Sequence, residues 1–135
     1  MPVIPWSNML CVGVQDIDNQ HRTLVDILNR LGDLVDSHDK CWDESAVLTE
    51  LVQYTQTHFK FEEDLMRRVG YAGAEAHERE HRELFQRVAE LTARSAAGVR
   101  PDPEDLLVFL RDWLSSHIMG TDRALGLALN KINLR

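Results

Sequence analysis

Residues 51–70 read LVQYTQTHFKFEEDLMRRVG. Leu51, Val52, Thr55, His58, Phe59, Glu62, Leu65, Met66 and Val69 recur at intervals of three and four, the period of one helix face. A half-buried strand would alternate at every second residue, and this segment does not. Gly70 can adopt the left-handed conformation that ends a helix. Upstream the stripe reaches Leu48, and DESA at 43–46 offers Asp43 or Ser45 as N-cap. The oddity lies on the inner face, where His58 and Glu62 occupy positions that should be apolar.

Three further segments carry the same period. The first starts at Asp18 as N-cap, presents His21, Leu24, Val25, Leu28, Leu31 and Val35, and stops in SHDK at 37–40. The third runs from Ala74 through His77, His81, Leu84, Phe85, Val88 and Leu91, ending before Gly98. PDPED at 101–105 announces the fourth, with Asp102 as N-cap, Pro103 in the first helical position and two acids favoured by the helix dipole. Its stripe is Leu106, Leu107, Leu110, Trp113, Leu114, His117 and Ile118. Gly120 is expected to interrupt it before a short last segment, TDRALGLALNKI.

Helices of about 20 residues are roughly 30 Å long, and short connections make neighbours antiparallel. The expected fold is all-α, an antiparallel up-down-up-down four-helix bundle. The expected organisation is one domain over residues 1–135: an irregular N-terminal arm at 1–17, the bundle at 18–119 and a short C-terminal helical segment at 120–135.

The 135 residues carry a net charge of −7, which speaks against nucleic acid or an anionic membrane as partner. No apolar run approaches the roughly 18 residues of a membrane span. The opening MPVIPWSNML lacks the basic and apolar regions of a secretory signal, so the expected location is cytoplasmic. Cys11 and Cys41 have no CxxC spacing and read as two reduced thiols rather than a disulfide.

Of six histidines, five (His21, His58, His77, His81 and His117) fall on stripes that face the core. Only His38 lies apart, in a charged stretch expected to meet solvent. A single histidine on an apolar face is ordinarily a satisfied core residue. Five on four converging faces, with Glu62 among them, are different, because burying unpaired polar groups costs several kcal/mol each. A marginally stable domain cannot absorb that repeatedly. A metal would pair with all of them at once.

His58 and Glu62 are four residues apart, as are His77 and His81, so each pair projects from one side of its helix. Asp122 follows His117 by five, about 140° round a regular helix. Sharing a metal would therefore require a distorted helix, with the break expected at Gly120. Five imidazoles and two carboxylates without thiolate do not match a four-coordinate structural zinc site. Seven donors suit two ions bridged by the carboxylates. The mixed set fits iron, although zinc, copper and nickel also accept imidazole.

HEREH at 77–81 also satisfies the His-Glu-x-x-His pattern of zinc proteases, with Glu78 as would-be base. Such enzymes need a third protein ligand and a substrate cleft, usually beside a sheet; the sequence offers no sheet, and four further core donors stay unexplained. Ferritin-like di-iron oxidases use two Glu-x-x-His motifs and further glutamates. Here only Glu78 and His81 have that spacing.

The order H…HxxxE…HxxxH…HxxxxD, together with WSNMLCVGVQDIDNQH at 6–21, HFKFEE, HEREH followed by LF, and WLSSHIMGTD, resembles the hemerythrins, specifically the bacterial single-domain members. The resemblance implies a four-helix bundle around a non-haem di-iron (Fe2+/Fe3+) centre that binds O2 reversibly, for storage, transport or delivery. By motif position His77, His81 and His117 would hold a coordinatively full iron. His21 and His58 would hold the other, which keeps a place for O2, bound as hydroperoxide. Glu62 and Asp122 would bridge the two with an oxo or hydroxo group. Two ferrous ions, two carboxylates and one hydroxide leave a core of about +1, far easier to bury than bare cations. Leu24, Phe59, Trp113 and Ile118 stand at the family's O2-pocket positions, and Leu125 replaces an aromatic often found one turn after the bridging aspartate. O2 is the implied partner, to a monomer or weak oligomer that is not an enzyme. The same centre could alternatively serve an O2 or redox sensor, or a di-iron enzyme handling peroxide or NO.

Overall fold

The computed structural model describes residues 3–36, 44–98 and 103–135. Helices α1 (Gln15–Asp36), α2 (Glu44–Val69), α3 (Ala74–Ala96) and α4 (Pro103–Ser116) form the expected antiparallel bundle, with α1 packed on α2 and α4, and α2 on α3. A π-turn (His117–Asp122) then leads into α5 (Arg123–Lys131). No strand occurs among the described residues.

The apolar positions of the stripes make the core. Ile17, Leu24, Leu28 and Leu31 of α1 meet Leu48, Leu51 and Met66 of α2, Leu84 and Val88 of α3, and Leu106 and Leu110 of α4, all buried. Gly70 ends α2 at φ +68°: the Tyr71 N–H donates to Met66 O at 3.0 Å and the Gly70 N–H to Arg67 O at 3.3 Å. These two bonds satisfy carbonyls that the helix end would leave unpaired. Pro103 opens α4, where its missing N–H costs nothing.

Two boundaries differ from the sequence reading. Helix α1 begins at Gln15, inside the segment expected to be irregular, and Asp18 is not its N-cap. The Asp18 N–H already donates to Val14 O at 2.9 Å, while its carboxylate reaches back to accept the Val12 N–H at 2.7 Å. Asp18 thus fastens the arm to the first turn of α1.

The expected break at Gly120 does not occur either. Ser116 (φ −64°, ψ −42°) and Arg123 (φ −63°, ψ −40°) flank the π-turn in helical conformation, and α4 passes through it into α5. The C-terminal segment therefore continues the fourth helix. Ser45 lies inside α2. Asp43, Asp102, His38 and Cys41 fall outside the described residues, so the readings made for them are not addressed; Cys11 is a free thiol.

The arm before α1 is ordered by side chains. Asn29 of α1 accepts the Ile4 N–H at 2.9 Å and donates to Ile4 O at 2.9 Å, replacing a lost backbone partner on both sides. Arg22 stacks over Trp6 at 4.7 Å. A 3-10 turn at Asn8–Leu10 buries Leu10, and Val12 and Val14 follow it into the core. Helix α5 closes over this arm: Asn130 donates to Gly13 O at 2.9 Å, and Arg123 donates to Met9 O. Gly126 faces Val12 so closely that a Cβ there would lie 2.1 Å from Val12 O.

Candidate metal centre

Four segments send seven polar side chains to one place in the core. Helix α1 supplies His21, α2 supplies His58 and Glu62, α3 supplies His77 and His81, and the π-turn supplies His117 and Asp122. Each is at most 2 % exposed. Six of them were singled out on the stripes and Asp122 by its spacing from His117, and the structure brings all seven together.

Every histidine turns Nε2 inward. His21 Nε2 lies 2.7 Å from Asp122 Oδ2, and His58 Nε2 lies 2.7 Å from Glu62 Oε1. His77 Nε2 is 3.0 Å from Asp122 Oδ1 and 3.5 Å from Glu62 Oε2. His117 Nε2 is 3.1 Å from Asp122 Oδ1, and His81 Nε2 is 3.7 Å from Glu62 Oε1. Despite these short distances, both oxygens of Glu62, both of Asp122, and Nε2 of His21 and His77 have no partner in hydrogen-bond geometry. The atoms converge on shared points rather than aim at one another.

That is the arrangement a metal ion produces. In octahedral coordination, bonds of about 2.1 Å set neighbouring donor atoms about 3.0 Å apart. The donors sort into two groups, Glu62, His77, His81, His117 and Asp122 in one, and His21, His58, Glu62 and Asp122 in the other. Both carboxylates belong to both groups. The donor set thus fits two neighbouring ions with Glu62 and Asp122 between them.

The π-turn resolves the spacing of His117 and Asp122. Hydrogen bonding from i to i+5 widens one turn, so residues five apart share a side. The 140° offset of a regular helix is removed without a break.

The electrostatics of the site show how much it depends on charge pairing. Burial, with help from the neighbouring His21, pushes the His58 imidazole down to about 3. Burial and the charge of His117 push His81 down to about 2. Both are therefore neutral, the form that can bind metal. Burial and the charge of Asp122 drive Glu62 well above the usual carboxylate range. Asp122, against the upward push of its own burial, is held well below that range by the His117, His21 and His77 rings packed against it. Burial opposes the charged form of His117, but Asp122 and Glu80 outweigh it and raise its pKa.

Outside the seven, two hydrogen bonds orient the rings. Gln20 Oε1 lies 2.6 Å from His58 Nδ1, and Glu80 Oε1 lies 3.0 Å from His117 Nδ1. Glu80 Oε2 also accepts Thr121 Oγ1 at 2.6 Å. With Nε2 turned inward as donor to a metal, Nδ1 must carry the proton and donate it outward. Sequence periodicity did not reveal Gln20 or Glu80, since neither lies on an apolar stripe. Their one signal is position, each directly preceding a histidine of the set. Glu78, the would-be protease base, lies away from the cluster, 3.8 Å from Arg67.

An apolar cavity of about 30 Å³ adjoins the centre, touching His21, His58, His117 and Asp122. Leu24, Phe59 and Trp113 line it, together with Leu28, Leu110 and Leu114. Ile118 is buried but is not part of its wall. Phe59 stacks on His81 with ring centroids 3.7 Å apart, and Trp113 stacks on His117 at 4.5 Å.

Known proteins share this arrangement's sequence and shape. The family profile of the hemerythrin HHE cation binding domain matches residues 12–128. The bacteriohemerythrin of Stenotrophomonas maltophilia (strain R551-3) is 38% identical over 92% of this chain and 80% of its own length. That of Methylococcus capsulatus (strain ATCC 33009 / NCIMB 11132 / Bath) is 35% identical over 84% of this chain and 86% of its own. The crystal structure of a wild-type hemerythrin superposes with a TM-score of 0.86 at 33% identity, covering 93% of this chain and 97% of that one. A profile that spans the end of the arm, the bundle and most of α5, relatives above one-third identity and a shared bundle lead to one conclusion: the chain belongs to the hemerythrin family.

Proposed function

We propose that this chain, as one hemerythrin-like domain over residues 1–135, binds O2 reversibly at two iron ions held by the seven core residues. In this reading His77, His81 and His117 hold one ion and His21 and His58 the other, while Glu62 and Asp122 bridge them. The observation that carries it is the pair of donor groups sharing both carboxylates, with an apolar cavity that reaches both histidines of the smaller group, His21 and His58, and His117 of the larger. When bound, the irons supply electrons to O2 and recover them on its release.

The protein's part is positioning and exclusion. The five Nε2 atoms and two carboxylates are fixed by four separate segments, so little reorganisation accompanies a change of charge at the centre. The cavity volume of about 30 Å³ exceeds the roughly 10–15 Å³ that one water needs, which leaves room for a diatomic molecule. Apart from Thr55 and the donor residues the lining is leucine, valine, phenylalanine and tryptophan, which give water few partners, and a water without two to four partners is not held. Dryness matters because water and protons promote irreversible loss of the electrons. The same apolar enclosure supports use of the domain as a carrier or store rather than as an enzyme.

An iron assay with optical spectra under air and under nitrogen tests this. Two irons per chain and a visible band that comes and goes with O2 are expected. A colourless protein holding stoichiometric zinc would overturn the reading.

A further inference from the structure

The two outward hydrogen bonds are built alike but differ in charge. In each half of the site, the side chain directly preceding one histidine of the set accepts from Nδ1 of a histidine on a facing segment. Gln20, before His21, accepts from His58 at 2.6 Å; Glu80, before His81, accepts from His117 at 3.0 Å. The first acceptor is a neutral amide and the second a carboxylate. Thr121 Oγ1 donates to the other Glu80 oxygen at 2.6 Å, so both contacts of this carboxylate lie in the π-turn and its orientation is fixed.

A carboxylate drawing on Nδ1–H leaves the imidazole with more negative character, and its Nε2 becomes a stronger donor to a bound ion. An amide does so less. Stronger donation favours the higher oxidation state of the ion that receives it. We infer that Glu80, acting through His117, makes the three-histidine position the more readily oxidised of the two, while Gln20 leaves the His21–His58 position the more readily reduced. Glu80 does not reach the centre itself; it is a positioning residue whose charge is felt through the ring. This inference rests on the ligand assignment proposed above.

The isosteric exchanges Glu80→Gln and Gln20→Glu separate charge from shape. Three measurements apply: iron per chain, the His117 and His58 Nδ1–H resonances in the Zn(II)-loaded protein, and the one-electron potentials of the iron-loaded protein. Glu80→Gln should keep two irons and a detectable His117 Nδ1–H. It should weaken Zn(II) retention against a chelator by about tenfold, at the low end for outer hydrogen-bond partners. It should also raise the first oxidation potential, a tenfold change in the oxidised-to-reduced ratio being about 59 mV for one electron. Gln20→Glu should lower the potential of the other ion.

Full loading with unmoved potentials in Glu80→Gln overturns the inference and leaves Glu80 a purely structural contact. Should Glu80→Gln fail to fold or load, Gln20→Glu decides by the same criterion, and an unshifted potential there overturns it. A wild-type chain that holds fewer than two irons overturns the ligand assignment, and this inference with it. Full wild-type loading with unmoved variant potentials overturns this inference alone.

Discussion

His117 Nε2 lies 3.1 Å from Oδ1 of Asp122, five residues further along the same helix. Only the widened π-turn allows this, and it places Asp122 where His21, 2.7 Å away, and His77, 3.0 Å away, also reach it. Glu62 occupies the equivalent place opposite, near His58, His77 and His81.

Sharing predicts stoichiometry. Asp122→Ala or Glu62→Ala removes a donor from both groups and should take the iron content well below one per chain. His58→Ala removes a donor from one group only and should leave about one iron, with O2 binding lost. His77→Ala or His81→Ala should release the other ion or unfold the bundle. Metal analysis on purified variants decides; equal iron content in Asp122→Ala and His58→Ala would contradict bridging.

The glycines of the last helix should respond in opposite ways. A Cβ at Gly120 meets nothing within 4 Å, and Gly120 has helical neighbours rather than a break. Gly120→Ala should retain both ions and gain about 0.5–1 kcal/mol from reduced backbone entropy. A Cβ at Gly126 would strike Val12 O at 2.1 Å and Val12 Cβ at 2.9 Å. Gly126→Ala should therefore cost about 1–3 kcal/mol, as overpacking does, by forcing the arm off α5. Urea melts of the two variants provide the check.

Acid should destabilise the metal-free protein through His58 and His81. Their folded values, about 3 and about 2, lie below the ordinary 6.5, so between those limits the unfolded chain binds more protons. The stability they contribute is full above about pH 6.5 and declines as pH falls below it. His117, raised instead, works in the opposite direction, its contribution fading as pH rises past its folded value. His81→Leu isolates one term: its metal-free melts should lose less stability than wild type between pH 6.5 and pH 4. A steeper loss in the variant would refute the assignment.

Wetting the cavity should shorten the life of the reduced protein in air. Leu24→Asn puts an amide beside the apolar walls and gives water a partner. Iron content should stay at two while oxidation in air accelerates, by about tenfold if one held water suffices (1.4 kcal/mol). An unchanged rate at full loading would mean that dryness of this cavity does not set the lifetime.

Much of this was legible in the sequence because burial and polarity rarely coincide by chance. The stripes of α1 to α4 predicted the bundle; six of the seven clustered residues were intruders on those stripes, and Asp122 was picked out by its spacing from His117. What stayed hidden was geometry that no stripe records. HIMGTD looks the same whether Gly120 breaks the helix or the turn widens, since both relieve the same offset. Asp18 has the chemistry of an N-cap but serves as an acceptor for Val12, because α1 begins a turn earlier. Gln20 and Glu80 lie off the buried faces, and their role depends on a ring from another segment. Ile118 shares Trp113's stripe yet misses the cavity, a matter of side-chain direction rather than period.

The closure of α5 over the arm has a consequence for how the centre assembles. His21 and Asp122, 2.7 Å apart, are separated by about 100 residues of chain, and loop closure over that distance precedes any reward from the contact. The donor set is complete only when the segment that carries Asp122 has packed against α1, so His21, His58 and Glu62 alone do not make the shared site. A centre built this way is a property of the completed fold, since no single pair of neighbouring helices carries both carboxylates together with their histidines.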